Sequence, residues 1–529
     1  MANWDDGYVT DVPYLTGYYL ESTPVWIATA ATLLNTAPPD PATPFRYADL
    51  GCGNGVTALI TAATLPHAEI WAFDFNPAHV RSGRDIAHRA GLTNIHFEEA
   101  SFDDLARRPP EALPMFDYVA AHGVLSWISL ENRRRLVSVI GQRLAPGGIA
   151  YISYNVATGW PGMRPVRTLM RLLVEASPER SDLAAAGVFD LLETMKDAGA
   201  AMFQTHPTLD ARLKMFRETD QRYVAHELLN RDWHPVMFPA VASAMAGIKC
   251  DYIGSATLHD NIMSFTVPAA LHELFGGVRD TRLRETLRDI ASAAGFRRDL
   301  YQRGPHRMSV AEHQARIDAI GVVRTFAPMP DPIVLPSAIG PFSGDQPRYR
   351  ALLDVLASGP TTISRLRRHD ALADWPEPGV LEAVTLLMGA NYIAPVLREK
   401  PGAAAMEAAA RLNQVHAALF EQGYSRPFLA YPALGAAWHT DDLELLALDE
   451  LQKGLIAEER PLVDAVLGRL MRGGHQLHRS GQPITDPAAV RETVTDKVRE
   501  MLEHHLPTMR QLGALATVRT KPITPVGMP

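Results

Sequence analysis

The sequence predicts an α/β fold in which a largely parallel sheet carries helices on both faces. Three observations predict it. Short apolar segments alternate with helical segments from residue 45 to residue 154. Glycines stand at alternate positions in the stretch 51–55, directly after the first apolar segment, and the second apolar segment ends in the acid Asp74. Alternating units of this kind place ligands at the carboxyl ends of the strands.

The first strand is predicted over Phe45–Leu50, and the helix after the glycine loop over Val56–Leu65. Glycine adopts torsions that other residues avoid and lets a ligand lie against the main chain, while the helix start offers unpaired N–H groups. The pattern D-x-G-x-G-x-G from Asp49 has neither the spacing of dinucleotide sites nor the lysine of phosphate loops. The loop therefore suits a nucleoside with an uncharged tail better than a pyrophosphate.

The remaining strands follow in order. Strand two, Glu69–Asp74, ends in a carboxylate suited to ribose hydroxyls. An arginine-rich helix is predicted at 132–144. Strands three, four and five are predicted at 95–98, 116–122 and 149–154.

These motifs resemble class I S-adenosylmethionine-dependent methyltransferases. Two further stretches, AHGVLSWI at 121–128 and SYNVATGW at 153–160, occur in order behind the glycine loop. Together with the N-terminal segment 11–14 they resemble rickettsial-type protein-lysine methyltransferases and the wider bacterial group with a methyltransferase regulatory domain. The resemblance implies a Rossmann-like class I methyltransferase sheet with a helical insertion and S-adenosyl-L-methionine as cofactor.

The resemblance also implies cofactor contacts. Asp49 and the glycines would surround the methionine tail, Asp74 would hold the ribose, and Phe75 and Ser101 would lie beside adenine. Because the family often has an aspartate where Ser101 stands, that contact is expected through the backbone. The full set of expected cofactor-binding residues is Tyr14, Tyr18, Asp49, Gly51, Cys52, Gly53, Asn54, Gly55, Asp74, Phe75, Ala100, Ser101, His122 and Gly123.

The acceptor is expected to face His122, Tyr154 and Asn155. Methyl transfer is an in-line displacement that needs alignment and exclusion of water. A lysine amine has a pKa of about 10.4 and attacks only when neutral, a form that desolvation among aromatic rings favours. We predict a protein-lysine N-methyltransferase. A methyltransferase acting on a small molecule is the alternative, and a cofactor-binding regulator without catalysis ranks third.

Several residues have a structural explanation beside the functional one. The tyrosine-rich segment 8–24 is either a packed arm or a lid whose rings stack on adenine or form a slot for an alkylammonium group. His122 either caps a strand end or contacts cofactor or substrate. Trp127 and Trp160, which belong to the two motifs, are alternatively ordinary core residues. His226, His234 and His259 match no standard ligand spacing, so no metal site is predicted.

Beyond Trp160 the pattern becomes helical, at 164–175, 183–198 and 210–229. Segments 250–255 and 296–301 are expected to add the last two strands, so that the regulatory domain completes the catalytic sheet. The predicted organisation is a cofactor-binding domain with arm and helical cover (1–222), the regulatory domain (223–310), a proline-rich linker (311–346), a winged-helix-like module (347–400) and a C-terminal helical region (401–529). The third helix of the module, 377–388, is apolar and acidic, which favours protein contact over DNA.

Composition limits the functional classes. The 529 residues suggest about two to four domains. With only two cysteines, Cys52 and Cys250, a cysteine zinc site is excluded, and their wide separation in sequence argues against a disulfide framework. The net charge of −8 argues against nucleic acid as a partner. Without a signal segment or a long apolar run, a cytoplasmic protein without membrane insertion is expected. The oligomeric state stays open.

Overall fold

A mixed seven-stranded sheet organises the computed structural model, which describes residues 7–12, 16–479 and 482–515. Its strand order is β3-β2-β1-β4-β5-β7-β6. The strands are β1 (Arg46–Leu50), β2 (Glu69–Asp74), β3 (Ile95–Glu99), β4 (Phe116–Ala121), β5 (Leu144–Asn155), β6 (Cys250–Ser255) and β7 (Phe296–Arg303). Strands β1 to β5 pair in parallel, and β7 runs antiparallel between β5 and β6. The predicted α/β class is confirmed, and the two late segments complete the sheet.

Helices cover both faces of this sheet and form most of the rest of the chain. Within the described residues they are α1 (Pro24–Leu33), α2 (Val56–Thr64), α3 (Pro77–Arg89), α4 (Phe102–Arg107), α5 (Leu130–Arg143), α6 (Met163–Ala176), α7 (Ser181–Asp197), α8 (Ala201–Thr205), α9 (Thr208–Glu218), α10 (Gln221–Leu228), α11 (Phe238–Gly247), α12 (Met263–Thr266), α13 (His272–Gly276), α14 (Thr281–Ala291), α15 (Val310–Ala319), α16 (Gln346–Ala357), α17 (Ile363–Arg367), α18 (Glu377–Gly389), α19 (Ala403–Glu421), α20 (Asp442–Gln452), α21 (Glu459–Gly473), α22 (Pro487–Glu500) and α23 (Leu506–Gln511). The short outer strands are β8 (Gly321–Arg324), β9 (Thr361–Thr362), β10 (Ile393–Val396), β11 (Phe428–Tyr431), β12 (Ala436–His439), β13 (His478–Arg479) and β14 (Gln482–Pro483).

The helical cover, α6 to α10, follows β5 and has its own apolar core. Met170, Phe189, Leu213 and Trp233 are buried together there with Val12 of the N-terminal segment. The helix expected at 210–229 is two helices, α9 and α10, because the Asp220 side chain accepts a hydrogen bond from the Arg222 amide and starts a new helix. The N-terminal segment is thereby packed against the cover.

The C-terminal half is packed onto the sheet. Helix α19 lies against α2 and α3, and Arg411 Nε donates to the Ala90 carbonyl at 2.8 Å. Apolar side chains of both halves, such as Leu59 and Leu412, share one core. Loss of everything after residue 328 would therefore expose apolar surface of the cofactor-binding domain, so a cut there is not a neutral separation of two domains.

The range predicted as a linker contains regular structure. Helix α15 and strand β8 lie within 311–346, since Ile317, Val322 and Val323 are buried and anchor both elements. Only 325–345 lacks helix and strand. In the module that follows, the expected wing strand is β10, which pairs with β8 from before the first helix of the module, and β8 also pairs with β9. The winged-helix interpretation stays a prediction.

Among the described residues, no helix is both long enough and apolar enough to span a membrane.

Candidate active site

The glycine loop between β1 and α2 is held in a conformation that only glycine adopts readily. Gly51, Gly53 and Gly55 have φ of +79°, +54° and +69°. A Cβ atom at Gly51 would lie 2.6 Å from Val124, and one at Gly55 would lie 2.3 Å from the Phe97 ring. The loop amides of Gly51 and Cys52 donate to the Phe73 carbonyl at 2.8 and 2.9 Å, which fixes the loop to the end of β2. Residues 51–55 of this loop line the cavity described next.

A cavity opens at the carboxyl ends of β1, β2 and β4, where the fold class predicts a ligand. Aromatic rings, glycines and a few polar groups line it. The lining residues are Tyr8, Gly17, Tyr19, Gly51, Cys52, Gly53, Asn54, Gly55, Val56, Asp74, Phe75, His79, Phe102, His122, Gly123, Val124, Trp127 and Ile128. No lysine or arginine is in this lining among the residues that the structure describes.

Asp74 stands at the end of β2 with its carboxylate fixed toward the glycine loop. Its Oδ2 accepts from the Gly53 amide at 2.8 Å, and its Oδ1 accepts from the Asn76 amide at 2.9 Å. His79 Nδ1 lies 3.1 Å from Oδ1. Each carboxylate oxygen accepts about two hydrogen bonds, so Oδ2 retains capacity for a ligand hydroxyl. This fits the expected role of Asp74 in holding a ribose.

Asp49, at the end of β1, is buried without a counter-charge. Its exposed fraction is 7%, and among the described residues no group donates a hydrogen bond to its carboxylate and no cation pairs with it. Burial, with a smaller effect from the charge of Asp74, raises the pKa of Asp49 to about 7. Asp49 does not itself line the cavity, but a ligand ammonium close to it would supply the missing charge. The glycine loop, Asp49 and Asp74 thus fit S-adenosylmethionine.

His122, at the end of β4, is a neutral imidazole in the cavity wall. Its ring stacks on Tyr19 with a centroid distance of 3.6 Å, and its Nδ1 lies 2.8 Å from the Tyr151 hydroxyl in a hydrogen bond. Burial, together with the nearby charge of Arg298, lowers the pKa of His122 to about 3. The side chain therefore presents no positive charge at neutral pH. Gly123 beside it donates its amide to Ser153 Oγ at 2.8 Å.

The N-terminal segment closes one side of the cavity. Val9 donates its amide to Asn230 Oδ1 at 2.9 Å, and the Gly7 carbonyl accepts from the Arg231 amide at 2.7 Å. These bonds place the Tyr8 ring edge-on to Phe75, with 5.8 Å between the ring centroids. The described part of the segment is thus both packed against the protein and part of the cavity wall. It combines the two alternatives that the sequence left open, a packed arm and a lid.

The structure moves two expected acceptor residues away from the cavity. The Tyr154 ring is fully buried, and its hydroxyl donates to Asp299 Oδ2 at 2.5 Å on the side of β7. Asn155 is also buried, and its Nδ2 donates to Glu227 Oε1 at 2.8 Å. Both corrections have the same cause: β7 and α10 pack against the end of β5 and engage these polar groups. Neither residue lines the cavity.

Four expected cofactor residues also lie outside the lining. Tyr18 contacts the C-terminal region, where its hydroxyl accepts from the Ala437 amide at 2.9 Å. Ser101 caps α4, because its Oγ donates to Asp104 Oδ2 at 2.6 Å and accepts from the Asp104 amide. Ala100 is buried, and the next ring along, Phe102, lines the cavity in its place. Asp49 lies behind the loop, as described above, and Tyr14 lies outside the described residues.

Sequence reasoning missed several residues that the fold brings to the site. Tyr8 and Tyr19 lie in the segment suspected as a lid, but nothing in the sequence distinguished them from Tyr14 and Tyr18. Phe102 directly follows the expected Ser101. Glu227 lies on α10, 72 residues after Asn155, and nothing in the sequence of this mixed polar and apolar helix singled it out.

Two family models match separate parts of the chain. Residues 48–150 match the family described as "Methyltransferase domain". Residues 220–303 match the family described as "Predicted methyltransferase regulatory domain". The first match contains the glycine loop, Asp74 and His122, and the second contains Glu227 together with β6 and β7.

Two similar proteins align with most of the chain, and a third aligns with a smaller part of it. An uncharacterized protein from Synechocystis is 29% identical over 515 residues, which cover 96% of this chain and 99% of that protein. The structure of PKMT2 from Rickettsia typhi in complex with AdoHcy is 19% identical, with a TM-score of 0.69, and covers 94% of this chain and 99% of that one. Trans-aconitate 2-methyltransferase from Methylobacterium nodulans is 31% identical over 35% of this chain and 61% of its own length. The likeness to PKMT2 shows a shared fold that includes the C-terminal half.

Proposed function

We propose that this chain, a class I S-adenosylmethionine-dependent methyltransferase with a methyltransferase regulatory domain, methylates a lysine amine of a protein substrate. When bound, S-adenosylmethionine supplies an electrophilic methyl group. The chain contributes alignment, exclusion of water and control of charge. The glycine loop with Asp49 and Asp74 would hold the cofactor, and the wall of Tyr8, Tyr19 and Trp127 would border the acceptor.

The negative charge of the cavity is the main support for an amine as the methyl acceptor. Its lining contains the acid Asp74 and no lysine or arginine among the described residues. Two buried acids lie behind lining residues: Asp49 stands two positions before Gly51, and the Glu227 backbone accepts a hydrogen bond from Trp127. A carboxylate acceptor, such as the one named in trans-aconitate 2-methyltransferase, would meet like charges without a cationic partner. An amine meets aromatic faces and negative charge, both of which favour its approach.

The state of His122 supports the same acceptor. Its pKa is lowered by burial to about 3, so the imidazole adds no repulsion toward an ammonium group. The aromatic wall also desolvates an amine, which lowers the amine pKa and increases the neutral, attacking form. An aromatic cavity with a neutral histidine is therefore compatible with an amine that enters charged and reacts neutral.

The parts of the chain beyond the sheet support a protein acceptor. A small acceptor requires only a lid, and residues 7–12 and 16–19, which supply Tyr8, Gly17 and Tyr19 to the cavity wall, already provide one. Helices α6 to α10 form a separate cover, and the C-terminal half is packed against α2 and α3. These additions provide surface for a macromolecule near the sheet. A small-molecule amine remains the second candidate because the cavity itself has no feature that selects a polypeptide.

Labelled S-adenosylmethionine tests the proposal. The chain is incubated with a bacterial lysate, and the reaction is divided between protein and small solutes, before and after mild alkali. We expect label in protein that resists alkali, because methylated amines are stable whereas methyl esters hydrolyse. A Gly51→Val variant, whose side chain would collide with Val124, serves as the inactive control. Label in small solutes would support the second candidate, and alkali-labile label would exclude an amine.

A further inference from the structure

We infer that Glu227, a residue of the regulatory domain, binds the acceptor amine and takes up its proton. The inference rests on the proposed amine acceptor and goes beyond it, because it assigns a catalytic residue to the domain regarded as regulatory. Glu227 lies on α10, which packs against the end of β5 beside the cavity.

Two contacts hold the Glu227 carboxylate, and a third joins the Glu227 backbone to the cavity wall. Asn155 Nδ2 donates to Oε1 at 2.8 Å, and the Tyr223 hydroxyl lies 3.4 Å from Oε2. Trp127, which lines the cavity, donates its Nε1 to the backbone carbonyl of Glu227 at 3.1 Å. Only 6% of Glu227 is exposed. The acid is therefore positioned by the cavity wall itself.

Two tyrosines are within electrostatic range of the carboxylate. The pKa of Tyr8 is raised by burial and by the nearby charges of Asp74 and Glu227. The pKa of Tyr223 is raised by burial and by the charge of Glu227. Since Tyr8 and Tyr19 line the cavity, the carboxylate lies within electrostatic range of its interior. An ammonium group there would be held between aromatic faces and one carboxylate.

No cation neutralises this acid in the described part of the chain. Arg212 of α9 is the charged residue whose field reaches it, but the Arg212 guanidinium lies over the Trp160 ring at 4.4 Å and forms no ion pair with Glu227. The other groups facing the carboxylate are Asn155, Tyr223, Tyr8 and Trp233, all uncharged at neutral pH. Burial raises the pKa of Glu227 to about 7. A glutamine could hold Asn155 equally well, so the ionisable group suits a cationic ligand.

The proton balance of the step is simple. One N–H bond of the bound ammonium breaks, and an O–H bond forms on the Glu227 carboxylate, which leaves the amine lone pair free to attack. After methyl transfer the product nitrogen is again cationic. The proton on Glu227 then passes to water by way of Tyr223, whose exposed fraction is 41%. The cycle therefore restores the ionised carboxylate.

Glu227→Gln tests the role, with Glu227→Asp as the conservative variant and the exposed Glu218→Gln as the matched control. Two assays are used. Single-turnover methylation of protein in lysate is followed from pH 5.5 to pH 9. Binding of n-butylammonium to the enzyme with S-adenosylhomocysteine is measured by calorimetry, with 1-pentanol as the uncharged comparison.

We expect Glu227→Gln to lower the rate at least about 100-fold, the usual scale of proton transfer by a side chain, and to abolish the preference for n-butylammonium over 1-pentanol. Affinity for S-adenosylmethionine should be unchanged, Glu227→Asp should recover part of the rate, and Glu218→Gln should match the wild type. A Glu227→Gln enzyme with the wild-type rate, pH profile and butylammonium preference would overturn the inference. That result leaves protein labelling by the wild type intact, so it is distinct from failure of the proposed function.

Discussion

Two groups of buried acids in this molecule differ in how their charge is compensated. Beside β7, Arg297 contacts Glu285, Asp289 and Asp299 at 2.9, 2.6 and 2.9 Å. Beside the cavity, Asp49 and Glu227 form no ion pair among the described residues. The charge of a buried acid is compensated inside the fold when a protein cation pairs with it, whereas a buried acid without a counter-charge is suited to a cationic ligand. The presence or absence of a protein counter-charge therefore distinguishes the structural cluster around Arg297 from the acids beside the cavity, and the distinction does not depend on any similar protein.

The pKa values of the two groups show the same difference. Burial alone would raise the pKa of Glu285, but Arg288 and Arg297 hold it below its ordinary value. The cluster contains three buried carboxylates and only two buried guanidinium groups, and burial raises the pKa of Asp289 to about 6. At the cavity, burial raises the pKa of both Asp49 and Glu227 to about 7. A raised folded-state pKa favours the folded state most at low pH, and that contribution is lost as the pH rises through about 7.

The largest expected effect is on the compensated cluster. Arg297→Met leaves three carboxylates facing a buried methionine, so we expect the free energy of unfolding to fall by about 3–5 kcal/mol. Arg217→Met is the matched control, because Arg217 pairs with Asp190 and Glu193 on the surface, where a pair contributes about 1 kcal/mol or less. Urea unfolding at pH 7 measures both. Equal losses in the two variants would remove the distinction between the buried and exposed clusters.

Asp49→Asn should have the opposite effect on stability. The substitution removes a buried charge that has no partner, so at pH 8 we expect the free energy of unfolding to rise by roughly 1–3 kcal/mol, with about 1.4 kcal/mol per unit of pKa shift as the scale. At pH 4 the gain should vanish, because the wild-type carboxyl is then protonated. Affinity for S-adenosylmethionine should fall at least about tenfold. Unfolding at both pH values and calorimetric titration provide the check, and a destabilised variant at pH 8 would show that Asp49 has a partner.

Glu227→Gln should give a smaller gain, on the order of 1–2 kcal/mol at pH 8, because Asn155 and Tyr223 already stabilise part of the charge. The introduced amide oxygen would still accept a hydrogen bond from Asn155. Unlike Asp49→Asn, this variant should keep wild-type affinity for the cofactor, and the two variants together separate the cofactor side of the cavity from the acceptor side. Unfolding and cofactor titration on the same preparations decide it, and weakened cofactor binding in Glu227→Gln would erase that separation.

Tyr154→Phe should have the smallest effect. It removes one buried hydrogen bond to Asp299, so we expect a loss of about 1–2 kcal/mol in the free energy of unfolding and a change in turnover of less than about threefold, which is under about 0.7 kcal/mol. Thermal unfolding and single-turnover methylation measure the two quantities. A large loss of turnover in a stable variant would return Tyr154 to the acceptor site, where the sequence first suggested it.

Local sequence patterns predicted those parts of the site that form where one strand turns into the next helix. The glycine loop and Asp74 follow directly from a strand, a turn and a helix start, so their positions could be read from spacing. The direction of Tyr154 could not, because it depends on β7, which pairs with β5 from 145 residues further along the chain. Glu227 was missed for the same reason. Tyr8 took the place expected for Tyr14 and Tyr18 because its backbone is fixed by Asn230 and Arg231, far away in sequence.

Proton release on cofactor binding tests most directly whether a buried acid without a counter-charge, Asp49, binds a cationic ligand. Binding of S-adenosylmethionine is measured by calorimetry at pH 6 in buffers with different ionisation enthalpies. With a pKa of about 7, Asp49 is mostly protonated at that pH, and the cofactor ammonium should ionise it. We expect release of roughly 0.9 proton per cofactor by the wild type and none by Asp49→Asn. Binding by the wild type with the same heat in every buffer would contradict it.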